Sequence, residues 1–235
     1  VRGSKALLGL FALAAAVDLG SLAVGFTPGH VVAKPVLMPL LAGYVHVRGG
    51  PRLLVAALLC GWGGDVLLLS DAEPAFLAGM GSFAAGHVCY LLLFRRSGRP
   101  GRSALRAAPY GSALVLTLAL LWPGLPAELR VPVAGYSVLL TAMAYGAGRL
   151  GPVAGLGGAL FLLSDALIAT GVADWPQLPR PDLWIMLTYL AAQYLLVRGT
   201  LGFTSGSAPE APSAAPTPPR PHPAPPPPHA RGSRR

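Results

Sequence analysis

Charged residues are scarce in this sequence. Asp, Glu, Lys and Arg make up 11% of its 235 residues, against roughly 25% in an ordinary soluble domain. Too little polar surface remains to coat a globule, which excludes a water-soluble enzyme or binding module of the usual kind. Cysteine is nearly absent as well. Cys60 and Cys89 both fall inside apolar stretches, so they supply neither a disulfide framework nor a thiolate metal site and read as small buried residues.

Hydrocarbon is what the chain has in quantity: 53% of residues are hydrophobic and the mean hydropathy is +0.57. Apolar stretches recur at 5–26, 31–47, 53–70, 75–94, 105–122, 132–148, 151–172 and 183–201, each near the roughly 20 residues that span a bilayer. Eight such runs are expected of a polytopic membrane protein rather than of a secreted one with a signal peptide. The first run also lacks a small-residue cleavage signature. The chain opens on Val rather than Met, which fits an alternative start or a trimmed chain.

The distribution of positive charge agrees with eight spans and both termini in the cytoplasm. With that orientation the inner segments hold Arg2, Lys5, Arg48, Arg52, Arg95, Arg96, Arg99, Arg102, Arg106, Arg149 and Arg198, and the tail adds Arg220, Arg231, Arg234 and Arg235. The outer loops hold only Arg130 and Arg180, and Lys34 lies within a span. This segregation follows the positive-inside rule. Anionic lipid of the inner leaflet then accounts for the net charge of +9 without a nucleic-acid partner. The expectation is an all-α membrane domain over 1–203, followed by a tail over 204–235. The tail reads "APTPPRPHPAPPPPHARGSRR" near its end; it is proline-rich, too poor in apolar surface to build a core, and expected to be disordered with polyproline II character. The longest loop is "RRSGRPGRSALR" (95–106). The heavy use of Ala, Gly, Pro and Arg is that of a GC-rich bacterial genome and points to a bacterial plasma membrane.

Two acids break the hydrocarbon pattern. "CGWGGDVLLLSD" carries Asp65, and "ALFLLSDALIATG" repeats the theme with Asp165. A charged Asp near the bilayer centre costs roughly 2.5–3.5 kcal/mol, and ionisable groups at that depth face the protein interior and mark functional sites by default. Spans three and seven run in the same direction, so the two stretches form a weak internal echo, as a parallel 4+4 duplication would produce. The other polar groups within spans are Asp18, Lys34 and His87, with Tyr90, Ser164, Tyr189 and Gln193 as uncharged companions. Placed by helical rise, most of them share one layer between mid-depth and the outer half. His87 and Tyr90 are three residues apart, and Tyr189 and Gln193 four, so each pair shares a helix face. Gly61, one turn before Asp65, lets a neighbouring helix approach. Pro35 and Pro39 free backbone carbonyls beside Lys34.

Each of these residues has a plainer role open to it. Lys34 can snorkel to outer headgroups, Asp18 can bond a helix neighbour, His87 can join helices, and the tyrosines can pack.

"KPVLMPLL", "GGDVLLL", "FAAGHVCYLL", "LFLLSDALIA" and "LTYLAAQYLLV" stand in that order on successive spans. Together, over about residues 5–201, they resemble the YhhN family of membrane proteins, which includes the lysoplasmalogenases. The resemblance implies an eight-helix hydrolase that cleaves the vinyl ether bond of a lysoplasmalogen, or of a related lysolipid enol ether. The products would be a fatty aldehyde and a glycerophospho-ethanolamine or -choline. By motif position it carries over Lys34, Asp65, His87, Tyr90, Asp165, Tyr189 and Gln193, with the lysophospholipid as partner.

A vinyl ether hydrolyses by slow protonation of its alkene carbon. The resulting oxocarbenium ion is captured by water, and the hemiacetal collapses to aldehyde and alcohol. Two carboxyl groups in one low-dielectric cavity can divide the work, one protonated and one ionised, as in glycoside hydrolysis. The expected roles are Asp65 as general acid, Asp165 as the ionised partner orienting water and His87 as an aid to proton transfer. Lys34 would bind the substrate phosphate or hold one Asp charged, and Tyr90, Tyr189 and Gln193 would line the substrate site. The two Asp roles are exchangeable at this level. No cofactor or metal is called for, since His30, His46 and His87 form no recognisable ligand set. Two other readings use the same residues. A transporter or lipid-binding protein would carry protons or ligand along the Asp–Lys–His layer, and a structural role would have the polar groups only joining helices.

Overall fold

The computed structural model describes residues 2–70, 72–98 and 104–206. The tail beyond 206 and the centre of the 95–106 loop lie outside the described residues. Among the described residues eight α-helices follow one another, each overlapping one of the apolar stretches: α1 (Arg2–Val24), α2 (Thr27–Val47), α3 (Arg52–Leu67), α4 (Glu73–Ser97), α5 (Ala104–Leu121), α6 (Ala127–Ala147), α7 (Pro152–Val172) and α8 (Pro181–Gly206). A 3-10 turn, Gly148–Leu150, joins α6 to α7. The described residues contain no strand. α8 continues three residues past the expected domain limit at 203; Thr204 donates its hydroxyl to the Thr200 carbonyl at 3.1 Å.

Five segments are long and apolar enough to cross a membrane: α1, α2, α4, α6 with its 3-10 extension, and α7. The 16 residues of α3 reach only about 24 Å at 1.5 Å per residue. The described apolar part of α5 is also short, Ala107–Leu121. α8 is long, but it carries Tyr189, Gln193, Tyr194 and Arg198.

Helix ends follow the local sequence. Proline opens α2, α4 and α7, where its missing N–H costs nothing. Gly25 and Gly49, at φ +75° and +67°, end α1 and α2 in the left-handed region that other residues enter with strain.

Seven helices close a ring. α1 packs on α2, α2 on α3, α3 on α4, α4 on α6, α6 on α7, α7 on α8, and α8 returns to α1. α5 stands outside this ring against α6 and α7. Small residues allow the closest approaches. A Cβ on Gly64 would lie 2.4 Å from the Phe83 ring, one on Gly199 2.6 Å from the Ala154 nitrogen, and one on Gly158 2.8 Å from the Ala144 carbonyl. Large hydrophobic side chains such as Leu13, Val32, Val115 and Val131 point outward, the arrangement required when lipid is the solvent.

The ring interior is not uniform. At one end the connection after α1 meets Arg180, and Gly124 meets Ala173. At the other, Gly98 meets Arg149 and Gly50 meets Leu201. The second end is filled by hydrocarbon, with Leu41, Leu54, Leu58, Phe94 and Leu196 almost wholly buried. Ser4 and Thr200 excepted, the buried polar side chains collect above that plug.

Candidate active site

Asp65 sits on the last full turn of α3, 3% exposed. Gly61, one turn earlier, leaves the space that α8 uses: a Cβ there would lie 3.1 Å from the Tyr189 hydroxyl and 3.3 Å from the Gln193 amide nitrogen. Tyr189 donates its hydroxyl to Asp65 Oδ2 at 2.9 Å. Gln193 Nε2 donates to the Tyr189 oxygen at 3.3 Å, and Tyr90 from α4 donates to Gln193 Oε1 at 2.6 Å. A chain of donors thus runs Tyr90, Gln193, Tyr189 and ends on Asp65. Three of the residues expected at a substrate site are partners of one another and of the acid. Lys34, half-buried on α2, lies within electrostatic reach of Asp65.

Asp165 on α7 has its own chain. Tyr136 of α6 donates a short hydrogen bond to its Oδ2. His87, 1% exposed, places Nε2 3.0 Å from the Tyr136 oxygen. Because Tyr136 gives its single proton to Asp165, His87 must supply the hydrogen in its bond to Tyr136. That assignment puts the imidazole proton on Nε2 and leaves Nδ1, buried and without a hydrogen-bond partner, as an acceptor. Both acids therefore accept from a tyrosine at Oδ2 and keep Oδ1.

The two chains do not merge into one polar chamber. Phe161 lies between them, its ring centroid 4.9 Å from His87 and 5.4 Å from Tyr189. Phe83 packs edge-on against both Phe161 and Tyr189, at 6.4 and 5.9 Å. Phe161 is one helical turn before Asp165, and Phe83 one turn before His87, so the same helix faces that carry the polar groups carry the wall dividing them. Asp165 remains within electrostatic reach of Asp65 across it.

A cavity of about 100 Å³ opens on the Asp165 side, between α4, α5, α6 and α7. Asp165, Tyr136, Ser137, Thr117 and Thr141 are its polar lining and the remainder is hydrocarbon. Thr141 is 7% exposed and its hydroxyl has no hydrogen-bond partner. A carboxyl group at the wall of an apolar pocket, with a few convergent hydroxyls, suits a lipid with a reactive polar junction.

The other polar residues stand apart. Asp18, fully buried on α1, pairs with His30 Nδ1 of α2 at 2.8 Å. Ser164 donates to the Ile185 carbonyl at 3.1 Å and joins α7 to α8. Pro39 cannot supply the N–H that the Pro35 carbonyl would otherwise accept; the Trp62 indole N–H takes its place at 2.8 Å.

Tyr136 has no counterpart in the sequence reading. It lies in "VPVAGYSVLLTAMAYGAG", a span with no ionisable group to draw attention to it. The signal was the spacing of Ser137 and Thr141, four residues apart, which marks a polar stripe beside Tyr136 in the otherwise largely hydrophobic middle of α6.

Known proteins align with these elements. The chain is 38% identical over 176 residues to the lysoplasmalogenase TMEM86B of Homo sapiens, covering 73% of this chain and 74% of the relative. It is 34% identical over 175 residues to the Sus scrofa protein of the same name, covering 72% and 75%. The lysoplasmalogenase of Mycobacterium tuberculosis is 32% identical over 227 residues, covering 85% and 84%. No solved structure matches the chain significantly. The profile of the YhhN family matches residues 29–200, a stretch that holds Lys34, both tyrosine–carboxyl pairs and the cavity, and leaves out Asp18. The chain belongs to the YhhN family.

Proposed function

We propose that this protein is an intramembrane lysoplasmalogenase. It hydrolyses the vinyl ether of a lysoplasmalogen, or a related lysolipid enol ether, to a fatty aldehyde and a glycerophospho-alcohol. The observation that carries this reading is the position of Asp165, whose carboxyl lines an apolar cavity while Tyr136 beside it on the wall, backed by His87, holds it in place. The relatives' names give the bond to be broken.

The reaction needs a proton delivered to an alkene carbon inside a site that excludes bulk water. Asp165 touches the cavity and Asp65 does not, so the geometry favours Asp165 as the proton donor, exchanging the two roles first expected. Its Oδ1, free of the Tyr136 bond, delivers the proton. Water then adds to the oxocarbenium carbon, giving a proton to the carboxylate, and the hemiacetal breaks to aldehyde and alcohol. Asp65 provides negative charge across the Phe161 wall while the cation lasts, and Lys34 balances that charge in the resting site. Tyr90, Gln193 and Tyr189 position Asp65, and His87 positions Asp165 through Tyr136. No cofactor takes part.

This function is best served by eight crossings with both termini on the cytoplasmic side of a bacterial plasma membrane. The charge segregation along the chain supports that topology. α3 and α5 would then cross as short spans within a locally thinned bilayer.

Purified protein in detergent, given lysoplasmenyl-ethanolamine, should release fatty aldehyde in step with glycerophosphoethanolamine. Uptake of the lipid into proteoliposomes without aldehyde would replace this reading with transport.

A further inference from the structure

The cavity has two ends, and they differ. Because the helices alternate in direction, Phe83, Ala113, Thr141 and Leu162 mark one end, and Phe76, Leu121, Val133 and Val172 the other. The second end merges with a separate cluster of buried side chains that includes Leu121, Leu125, Leu129 and Val133. Arg130, in the first turn of α6, follows Leu129 of this cluster and precedes Val133 of the cavity wall by one turn. Its Nε donates to the Leu125 carbonyl at 3.2 Å, and its guanidinium carbon sits 5.8 Å from the centre of the Trp122 ring. Those two contacts fix the plane of the group and leave its terminal nitrogens as a fork for an anion. Basic residues are rare at this end of the bundle, where Arg180 is instead turned toward α1, donating to the Leu22 carbonyl at 3.3 Å.

We infer that Arg130 is the phosphate anchor of the substrate, setting a lysophospholipid so that the alkene carbon of its vinyl ether reaches Asp165. This rests on the lysolipid reading above and names the residue that recognises the head group. Arg130 and Tyr136 are six positions apart on one helix, about 9 Å at 1.5 Å per residue. That axial rise is the scale of a glycerol unit with its phosphate ester; Arg130 shares its helix face with Ser137 of the cavity wall, seven positions on, so a phosphate on Arg130 would set the far end of the glycerol beside the Tyr136–Asp165 pair. The alkene end then lies against the apolar lining of the cavity, whose volume of about 100 Å³ takes only the first carbons of the chain. Lys34, on the Asp65 side of the aromatic wall, is left to its electrostatic role.

The test compares Arg130→Gln, Arg130→Lys and Lys34→Gln on two substrates, lysoplasmenyl-ethanolamine and the phosphate-free 1-alkenylglycerol. Arg130→Gln should raise KM for the phospholipid about tenfold, the worth of a charge-assisted contact, with kcat within about twofold. KM for the phosphate-free substrate should not rise, and Arg130→Lys should recover part of the loss. An equal fall in kcat on both substrates would make Arg130 a structural residue. A phosphate-dependent rise in KM confined to Lys34→Gln would move the anchor to α2. Either result overturns the inference. Binding of the saturated 1-alkyl lysophospholipid, which has no vinyl ether to cleave, reads the anchor without turnover. A Kd weakened about tenfold by Arg130→Gln is expected there even from a protein that hydrolysed nothing, and an unchanged Kd would reject the anchor.

Discussion

Tyr189 and Asp65 lie 124 residues apart in sequence and 2.9 Å apart in space, the tyrosine donating to the buried carboxyl. Tyr189→Phe removes that donor and the acceptor used by Gln193, leaving two buried polar groups short of a partner. Loss of about 1–3 kcal/mol of stability is expected, read as a lower Tm in detergent. Aldehyde release should fall with it. A variant with wild-type Tm and turnover would show that the bond matters to neither.

Asp165→Asn keeps the size of the side chain and an acceptor for Tyr136 but cannot deliver a proton. Turnover is expected to drop by about 10²–10⁴-fold, the usual range for removing a general acid, with little change in Tm. Asp65→Asn should cost less, because its carboxyl lies beyond the Phe161 wall. The reverse ranking would return the acid role to Asp65.

Gly64 is held by packing. A Cβ there would fall 2.4 Å from a ring carbon of Phe83, and that ring is itself wedged against Phe161 and Tyr189. Gly64→Ala should destabilise by about 1–3 kcal/mol and disturb both carboxyl groups. Gly81→Ala, with nothing within 4 Å of the added Cβ, is the matched control and should leave Tm unchanged. Equal Tm values for the two variants would mean that Phe83 yields freely.

Thr141 keeps a hydroxyl without a partner in a buried cavity wall. Thr141→Val removes the unsatisfied group at nearly constant shape, and a gain of about 1 kcal/mol is expected. Thermal unfolding checks it; a loss of stability would mean that the hydroxyl is satisfied in the membrane.

Much of this architecture was legible in the residues. The apolar runs foretold each helix, since a strand of that length would leave its backbone groups unpaired in lipid. The pairing of Tyr189 with Gln193 and the clearance at Gly61 followed from helical spacing. What spacing could not give was which helices face each other across the ring. Asp65 and Asp165 sit in similar stretches, yet one turns to α8 and the other to α6, a choice made by packing between distant segments. Phe83 and Phe161 read as ordinary hydrophobic residues for the same reason. Only their positions in space make them a divider. Arg130 was legible as one of two arginines assigned to outer loops, but its contacts with Trp122 and Leu125 depend on where α5 ends against α6.

The hydrocarbon plug at the far end of the ring bears on energy conservation. Strings of hydroxyl, amide and imidazole groups inside a bilayer are the parts from which proton leaks are made. Here both strings stop above a layer of Leu41, Leu58, Phe94 and Leu196, and the buried Thr200 hydroxyl beyond it is turned to the Leu196 carbonyl at 2.8 Å rather than to either string. Under the proposed mechanism, such a layer would let acid chemistry proceed within the bilayer without short-circuiting the electrochemical gradient across it.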